Sequence, residues 1–594
     1  MASNPLLASA RPSSETSDDR AGVEEDTLLT GQGDDAYASG RRNKYGWGFW
    51  REVGLFVWAF VATVAVIIFA VLYQHQRSEH GSTGGDGIRP PGGKKNMIFM
   101  VSDGMGPTSL SLTRSFRQFE SGLSHDDVLV LDKHLIGSSR TRSTSSLITD
   151  SAAGATAFSC GFKSYNGAIS VRPDHTPCGT VLEAAKKAGY MTGLVVTTRI
   201  TDATPACFAA HVNSRDQEDR IAEQEVGEYP LGRVVDLMLG GGRCHFLPNT
   251  TEGSCRGDDK DVVEMAKKNG FSYIDDREGF DGLNVGGSVK LPLLGLFAET
   301  DIPYEVDRRH MNDVYPSLDE MAQTALTALA DATRDSEKGF FLMIEGSRID
   351  HAGHSNDPVA QVHEVLAYDK AFSGVLKFLD DWDTEAAVVS TSDHETGGLS
   401  TAKQLHITYP DYVWYPGVFV NASHSGEKLA ADLNSYTGED DIKTYVRETL
   451  LKEGLGVSDA TDEEVQSLID NPRLRPWTFP DIISRRAQVG WSTHGHSAVD
   501  VNIYASGSHG SNSTLSLSGN HENTEVGEFI RDYLELDLQG VTDELVEKGT
   551  HFDTLDAAGS KIPGSWMGRL PEPEERLDAF DHYHGDFKRH VHES

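Results

Sequence analysis

Basic residues are scarce in this chain of 594 residues, with 53 Lys and Arg against 90 Asp and Glu and a formal net charge of −37. So acidic a surface repels phosphodiester backbones and anionic lipid headgroups, which argues against nucleic acid or an anionic membrane face as a partner. Cysteine is scarcer still, limited to Cys160, Cys178, Cys207, Cys244 and Cys255. An odd count leaves at least one thiol free even in an oxidising compartment, and Cys244 with Cys255, which close a short loop, are the best pair. No Gly-x-Gly-x-x-Gly or P-loop pattern accompanies Gly240-Gly241-Gly242, so that run reads as a tight turn and not a phosphate cradle.

Two further absences organise the N-terminal part. Residues 1–52 are rich in Ser, Asp, Glu and Gly without apolar periodicity, and are expected to be a disordered tail. Val53 to Tyr73 contains no charged residue, and these 21 residues match the roughly 20 that cross a bilayer as a helix. The run is too long and too far from Met1 for a secretory signal. Arg41, Arg42, Lys44 and Arg51 precede it, against Arg77 and Arg89 after it, so the N-terminus is expected in the cytoplasm and the rest of the chain in a lumen or outside. Residues 74–94, with Gly81 to Gly93 at their heart, read as a flexible linker. Asn249, Asn421 and Asn512 open glycosylation acceptor patterns that suit a lumenal domain.

What is present is a set of apolar runs, each ending in metal-type residues. Asn96 to Val101 reads as a buried parallel strand and ends in Ser102-Asp103-Gly104-Met105-Gly106. Phe340 to Ile344 ends in Glu345-Gly346-Ser347-Arg348-Ile349-Asp350-His351-Ala352-Gly353-His354, and Ala386 to Thr391 ends in Ser392-Asp393-His394-Glu395-Thr396-Gly397-Gly398. In open α/β sheets the ligand crevice lies beyond the carboxyl ends of the strands, so three such endings aim Asp, Glu and His at one place. Asp350 and His354, four apart, face one side of a helical turn. Mixed carboxylate and imidazole donors suit Zn²⁺, whereas carboxylate with hydroxyl suits Mg²⁺. Thr149-Asp150-Ser151-Ala152-Ala153-Gly154-Ala155-Thr156-Ala157 sets a serine hydroxyl at the start of a small-residue helix, where unpaired N–H groups favour a phosphate. The fold class read from this pattern is α/β, a large central mostly parallel sheet flanked by helices over residues 95–545, one domain with insertions, and a C-terminal tail at 546–594.

These segments, with Asp202-Ala203-Thr204-Pro205-Ala206 and His211-Val212-Asn213-Ser214-Arg215, resemble the motif series of the alkaline phosphatases, in that family's order, from Asn96 to Gly507. The resemblance implies Ser151 as a nucleophile that becomes phosphoserine, with Asp150 helping to position Arg215, the phosphate clamp. It implies one zinc at Asp350, His354 and His496, a second at Asp103, Asp393 and His394, and a magnesium at Glu345, Thr204 and the shared Asp103, with Asp202 in its outer shell. His496 is taken over His494 because its spacing to Gly507 matches the family's last ligand. Asp202 resembles the bacterial enzymes, while His351 is similar to animal forms. The implied activity is broad phosphomonoester hydrolysis by a homodimer, and the resemblance also implies that about 405–490 is a surface insertion lying near its interface. Membrane-anchored fungal members, which this chain resembles, reside in the vacuole. Glu24-Glu25-Asp26-Thr27-Leu28-Leu29 fits an acidic dileucine pattern, so a sorting adaptor at Leu28 and Leu29 and a vacuolar membrane address are expected. Two rivals are a phosphodiesterase or sulfatase on the same metal-binding sheet and a non-catalytic tethered binding protein. Ser151, Thr204 and Glu345 argue against the first, and the full donor set against the second.

Overall fold

Strand β1 (Lys95–Val101) shows why the core forms where it does. Its side chains alternate between two apolar clusters, Met97, Phe99 and Val101 on one face and Ile98 and Met100 on the other. A strand buried on both faces belongs in the middle of a helix-covered parallel sheet. The computed structural model describes residues 58, 63, 93–438, 441–555 and 560–570. The expected tail at 1–52, nearly all of the apolar run at 53–73, most of the linker and the Leu28-Leu29 pair lie outside the described residues. Among the described residues no helix is long and apolar enough to cross a membrane.

The other strands are β2 (Leu135–Arg140), β3 (Met191–Arg199), β4 (Leu237–Gly241), β5 (Ser272–Ile274), β6 (Leu293–Leu296), β7 (Phe340–Glu345), β8 (Glu385–Thr391), β9 (Glu395–Thr396), β10 (His496–Ser497), β11 (Val501–Gly507) and β12 (Gly519–Glu522). Ten form one sheet in the order β12-β2-β11-β8-β1-β7-β3-β4-β6-β5, and β9 pairs with β10 apart from it. Only β11 runs antiparallel to its neighbours, β2 and β8. The α/β, mostly parallel expectation therefore holds. β8, β1, β7 and β3 lie side by side and parallel, so their carboxyl ends open on one crevice.

Six helices position the site. They are α1 (Ser151–Cys160), α2 (Ala203–Ala209), α3 (Arg348–His354), α4 (Pro358–Asp381), α5 (Arg475–Ala487) and α6 (Leu538–Phe552). The region expected as an insertion is helical and builds its own apolar cluster, including Leu429, Leu450, Leu468, Phe479 and Ile483, which packs on Val359 and Val362 of α4. Its two ends meet where Ser400 and Gly490 exchange backbone hydrogen bonds of 2.8 Å. The boundary expected at 545/546 is corrected: it cuts through α6, and Trp566 and Met567 beyond it are buried with Phe208 and Tyr229. Two large apolar anchors in a polar stretch were enough to draw residues 560–570 onto the domain.

Candidate metal centre and nucleophile

Asp103, Glu345, Asp393 and His394 sit where parallel strands run out. Asp103 follows β1, and Gly104 after it has φ of +76° and lies so close to α3 that a side chain there would strike the Asp350 backbone. Glu345 ends β7, and the chain turns at Ser347 into α3, whose Asp350 and His354 share a face one turn apart. Asp393 and His394 follow β8. His496 comes from a hundred residues further on, yet the antiparallel pairing of His496 with Thr396 returns it to the same crevice. Ser151 opens α1, whose N-cap is Asp150: one carboxylate oxygen accepts from Ala153 N at 2.9 Å and the other from Gly167 N at 2.9 Å. Gly154 in the same helix lets α1 press against Asp393, because a Cβ there would meet that residue's Cβ at 2.9 Å.

Two donor clusters result. In the first, His354 Nε2 lies 3.2 Å from Asp350 Oδ2 and 3.2 Å from His496 Nε2, and His496 Nε2 lies 3.6 Å from Asp350 Oδ1. The other ring nitrogens are held from behind, His496 Nδ1 donating to Thr149 O at 2.7 Å and His354 Nδ1 to His494 O. This leaves both Nε2 lone pairs turned inward, the arrangement by which outer carbonyls orient metal-binding histidines. In the second cluster His394 Nε2 is 3.1 Å from Asp393 Oδ2 and 3.6 Å from Asp103 Oδ1. Ser151 Oγ lies 3.0 Å from the same nitrogen. The two clusters abut: the His394 and His496 rings stack with centroids 3.5 Å apart, and the Thr396 hydroxyl donates to Asp350 Oδ1 at 2.5 Å while lying 3.2 Å from His394 Nδ1.

The donors fit cations. Asp103 Oδ1 and Asp393 Oδ2 are buried without a hydrogen-bond partner, an arrangement costly unless a positive charge meets them. Burial, with Asp393, Asp350 and Glu345 close by, pushes the Asp103 carboxyl well above its usual range. Burial and further carboxylates push Glu345 up to about 8. Glu345 Oε2 accepts from Ser347 Oγ at 2.7 Å, and the Thr204 hydroxyl reaches both Glu345 and Asp103 Oδ2, the latter at 3.5 Å. Hard oxygens are thus gathered beside the Asp103 that the second cluster also uses.

Asp202 N-caps α2 and faces the guanidinium side of the site. Its Oδ1 accepts from Arg215 Nη2 at 2.9 Å and its Oδ2 from Arg199 Nη2 at 3.2 Å; against burial, Arg215 and Arg199 hold its carboxyl down at about 2. Arg215 Nη1 is 3.4 Å from Asp150 Oδ2. A ladder of alternating charge therefore runs from Asp301 through Arg199, Asp202 and Arg215 to Asp150, with Arg199 Nη1 2.8 Å from Asp301. His351 Nε2 stands 4.0 Å from Asp202 Oδ2 and its Nδ1 3.6 Å from Asp301 Oδ2. Sequence reasoning missed Arg199, although it ends the apolar run of β3 as Asp103 and Glu345 end theirs. It also missed Thr396, whose hydroxyl ties the two clusters, because a lone threonine carries no signal. His494 is exposed and outside both clusters, its Nδ1 donating to His354 O at 2.8 Å. Cys244–Cys255 forms a disulfide as expected, Cys160–Cys178 a second, and Cys207 is free and buried. Cys244 and Cys255 cluster with His245, but their thiols are bonded to each other and so offer no thiolate to a metal.

Comparisons with known proteins agree with this geometry. A sequence model described as "Alkaline phosphatase" matches residues 94–536. The repressible alkaline phosphatase of Saccharomyces cerevisiae is 55% identical over 485 residues, covering 78% of this chain and 85% of that protein. An alkaline phosphatase of Schizosaccharomyces pombe is 45% identical over 533 residues, covering 89% and 95%. Among solved structures, the Thermus thermophilus alkaline phosphatase matches with a TM-score of 0.61 at 27% identity, covering 79% of this chain and 98% of that one. Three strand endings that converge on paired carboxylate–imidazole clusters beside a helix-capping serine, and a family match over most of the described residues, make this chain a member of the alkaline phosphatase family.

Proposed function

We propose that the chain hydrolyses phosphate monoesters of varied alcohols through a phosphoserine at Ser151. The observation that carries this is Ser151 Oγ at 3.0 Å from His394 Nε2, at the N-terminus of α1 and beside the donor cluster of Asp103, Asp393 and His394. Asp350, His354 and His496 would hold one zinc, Asp103, Asp393 and His394 a second, and Glu345, Thr204 and Asp103 a magnesium with Asp202 outside it. When bound, such cations supply Lewis acidity that lowers the pKa of the Ser151 hydroxyl and of a water, and neutralise charge on the leaving oxygen. A histidine-to-aspartate variant of an Antarctic bacterial alkaline phosphatase is described with Mg bound in its M3 site, which supports a carboxylate such as Asp202 going with magnesium.

The chain's own groups then have defined tasks. Ser151 Oγ attacks phosphorus as the bond to the leaving oxygen breaks, and the N-terminus of α1 beneath it favours the phosphate charge. Arg215 presents a planar fork to two phosphate oxygens, and Asp150 and Asp202 hold that fork in place. A water then attacks the phosphoserine, returning the Ser151 hydroxyl and inorganic phosphate. These groups grip phosphate and not the alcohol, which supports broad specificity.

We also propose a homodimer, a single-pass anchor at 53–73 with a lumenal catalytic domain, and a vacuolar membrane address read at Leu28 and Leu29. The anchor and the address are supported by the uncharged 21-residue run, the flanking basic residues and the acidic dileucine pattern, and the homodimer by the family resemblance alone. The test of function is the purified chain assayed on a phosphomonoester and a phosphodiester, with and without chelator. Rapid, chelator-sensitive cleavage of the monoester alone is expected. Preferential diester cleavage overturns the reading.

A further inference from the structure

The attacking hydroxyl and the phosphate clamp stand on separate segments, residues 149–151 and 213–215, and a transfer between them needs a fixed separation. One further run, Tyr165-Asn166-Gly167, touches both. On the nucleophile side Asn166 turns its whole side-chain amide to the backbone. Its Oδ1 accepts from Asp150 N at 3.2 Å, and its Nδ2 donates to Ile148 O at 3.2 Å. A backbone N–H can only donate and a carbonyl can only accept, so these two partners fix which way the amide points. Asp150 N is one of the donors that a helix start leaves without a partner inside the helix, and Asn166 supplies that partner. Asp150 is thereby held in the extended conformation, φ −97° and ψ 172°, from which α1 and Ser151 begin.

On the clamp side the same run pairs with the residues that carry Arg215. Tyr165 Oη donates to Asn213 O at 2.9 Å, and Arg215 N donates to Gly167 O at 2.8 Å. Just beyond, Ile169 and Val212 exchange backbone hydrogen bonds of 3.0 and 3.1 Å. Gly167 N closes the circuit by donating to Asp150 Oδ2, the oxygen that faces Arg215 Nη1. The run is itself anchored, by Asn166 N donating to Ser145 Oγ at 2.9 Å and by Thr156 of α1 donating to Ala168 O at 2.9 Å. Arg215 reaches phosphate on a long stem, so its aim depends on where its backbone is held, and main-chain bonds hold it whatever rotamer the stem adopts. Resting on the phosphatase reading above, we propose that Tyr165, Asn166 and Gly167 are positioning residues, a splint that sets Ser151 and Arg215 at the separation one phosphate spans. They act through those two residues.

The experiment measures kcat and KM for glycerol phosphate, the inhibition constant of inorganic phosphate, and zinc per chain. It uses the full-length metal-loaded enzyme, its Asn166→Leu, Tyr165→Phe and Arg215→Ala variants, and Tyr165→Phe combined with Arg215→Ala. Asn166→Leu keeps the bulk and removes the amide. Its kcat is expected to fall by up to about 100-fold, the scale on which a misplacement of about 1 Å acts, with zinc per chain as in the parent. Tyr165→Phe removes one hydrogen bond on the clamp side, and is expected to raise KM and the phosphate inhibition constant by about two- to tenfold, more than it lowers kcat. Once Arg215 is cut to Ala, Tyr165→Phe is expected to add nothing further to either constant. Zinc lost in step with activity, as a damaged fold would give, overturns the splint. So does a kcat in Asn166→Leu close to that of the parent, or a Tyr165→Phe effect that persists in full without the Arg215 side chain. In each of these cases cleavage of glycerol phosphate by the parent enzyme leaves the phosphatase reading standing, whereas a parent enzyme that does not cleave it overturns both.

Discussion

Two residues allow the sharpest tests. Ser151 supplies the only hydroxyl proposed to form a covalent bond, so Ser151→Ala is expected to lose activity by a factor of about 10³ or more, by analogy with the removal of other catalytic nucleophiles, while still binding zinc. Labelled phosphoenzyme should map to Ser151, and a label elsewhere sinks the assignment. His496 and His494 separate by geometry: His496 Nε2 points into the first cluster, whereas His494 Nδ1 is engaged with the His354 backbone. His496→Ala should lower bound zinc per chain by about one ion, because a three-residue site loses most of its affinity with one ligand gone. His494→Ala should leave the zinc content near the parent value. Metal analysis in the reverse order would show that the outer imidazole is the ligand.

At the scale of elements, α1 is held by contacts that leave no room. Gly154 faces Asp393 so closely that Gly154→Ala must push the helix or the carboxylate aside. The expected result is loss of zinc and of activity together, with the melting temperature lowered by the equivalent of about 1–3 kcal/mol, the usual cost of overpacking. An active, fully metallated Gly154→Ala variant would mean that α1 and the strand end after β8 adjust freely. Residues 560–570 are a second such element. Trp566 O accepts from Arg220, Met567 O from Asn213 N, and Gln217 exchanges hydrogen bonds with the Arg569 backbone, so this strap lies across the segment that carries Arg215. Trp566→Ala is expected to cost about 3–5 kcal/mol, as buried tryptophan truncations do, and urea unfolding would measure it.

For the whole molecule, stability depends on ions and on pH. Cations that bind the folded chain alone stabilise it by mass action, so chelator should lower the melting temperature of the native enzyme, and added zinc and magnesium should restore it. A melting temperature indifferent to chelator would contradict cation sites built from Asp103, Asp350 and Asp393. Glu364 on α4 carries a separate pH effect. Burial, with Glu305 nearby, pushes its carboxyl from 4.5 up to about 7, while Glu305 N donates to it at 2.5 Å. Because the folded value lies above the unfolded one, the native state binds the extra proton between about pH 4.5 and 7, and stability falls as pH rises through that window. Glu364→Gln removes the charge but keeps an acceptor for Glu305 N. It is expected to stabilise the fold at about pH 8 by up to roughly 3 kcal/mol, at about 1.4 kcal/mol per pKa unit, and to change little at about pH 4. A variant less stable at the higher pH would refute this account of Glu364.

The linear sequence determined the strand ends. Apolar runs before Asp103, Glu345 and Asp393 favour buried parallel strands, and the turn after each presents its polar residues to the crevice, so these donors were legible from pattern. So was the pairing of Cys244 with Cys255, a matter of short separation. Asp350, His354 and Ser151, each of which alone reads as a solvated helix face or a cap, took their roles from the convergence of the strand ends and from the family resemblance. Contacts between residues far apart in the chain were decided only by tertiary structure. The choice of His496 rested on a resemblance until the β9–β10 pairing brought it to Thr396. The hold of Arg199 on Asp202, the tie of Thr396 to both clusters, the docking of Trp566 and the paired hydrogen bonds of His354 with His494 each join segments whose separate sequences carry no mark of the other. Local propensity and periodicity report which element a residue belongs to. Which elements meet depends on how the sheet and its helices bury their apolar faces together, and that is settled only when the whole domain packs.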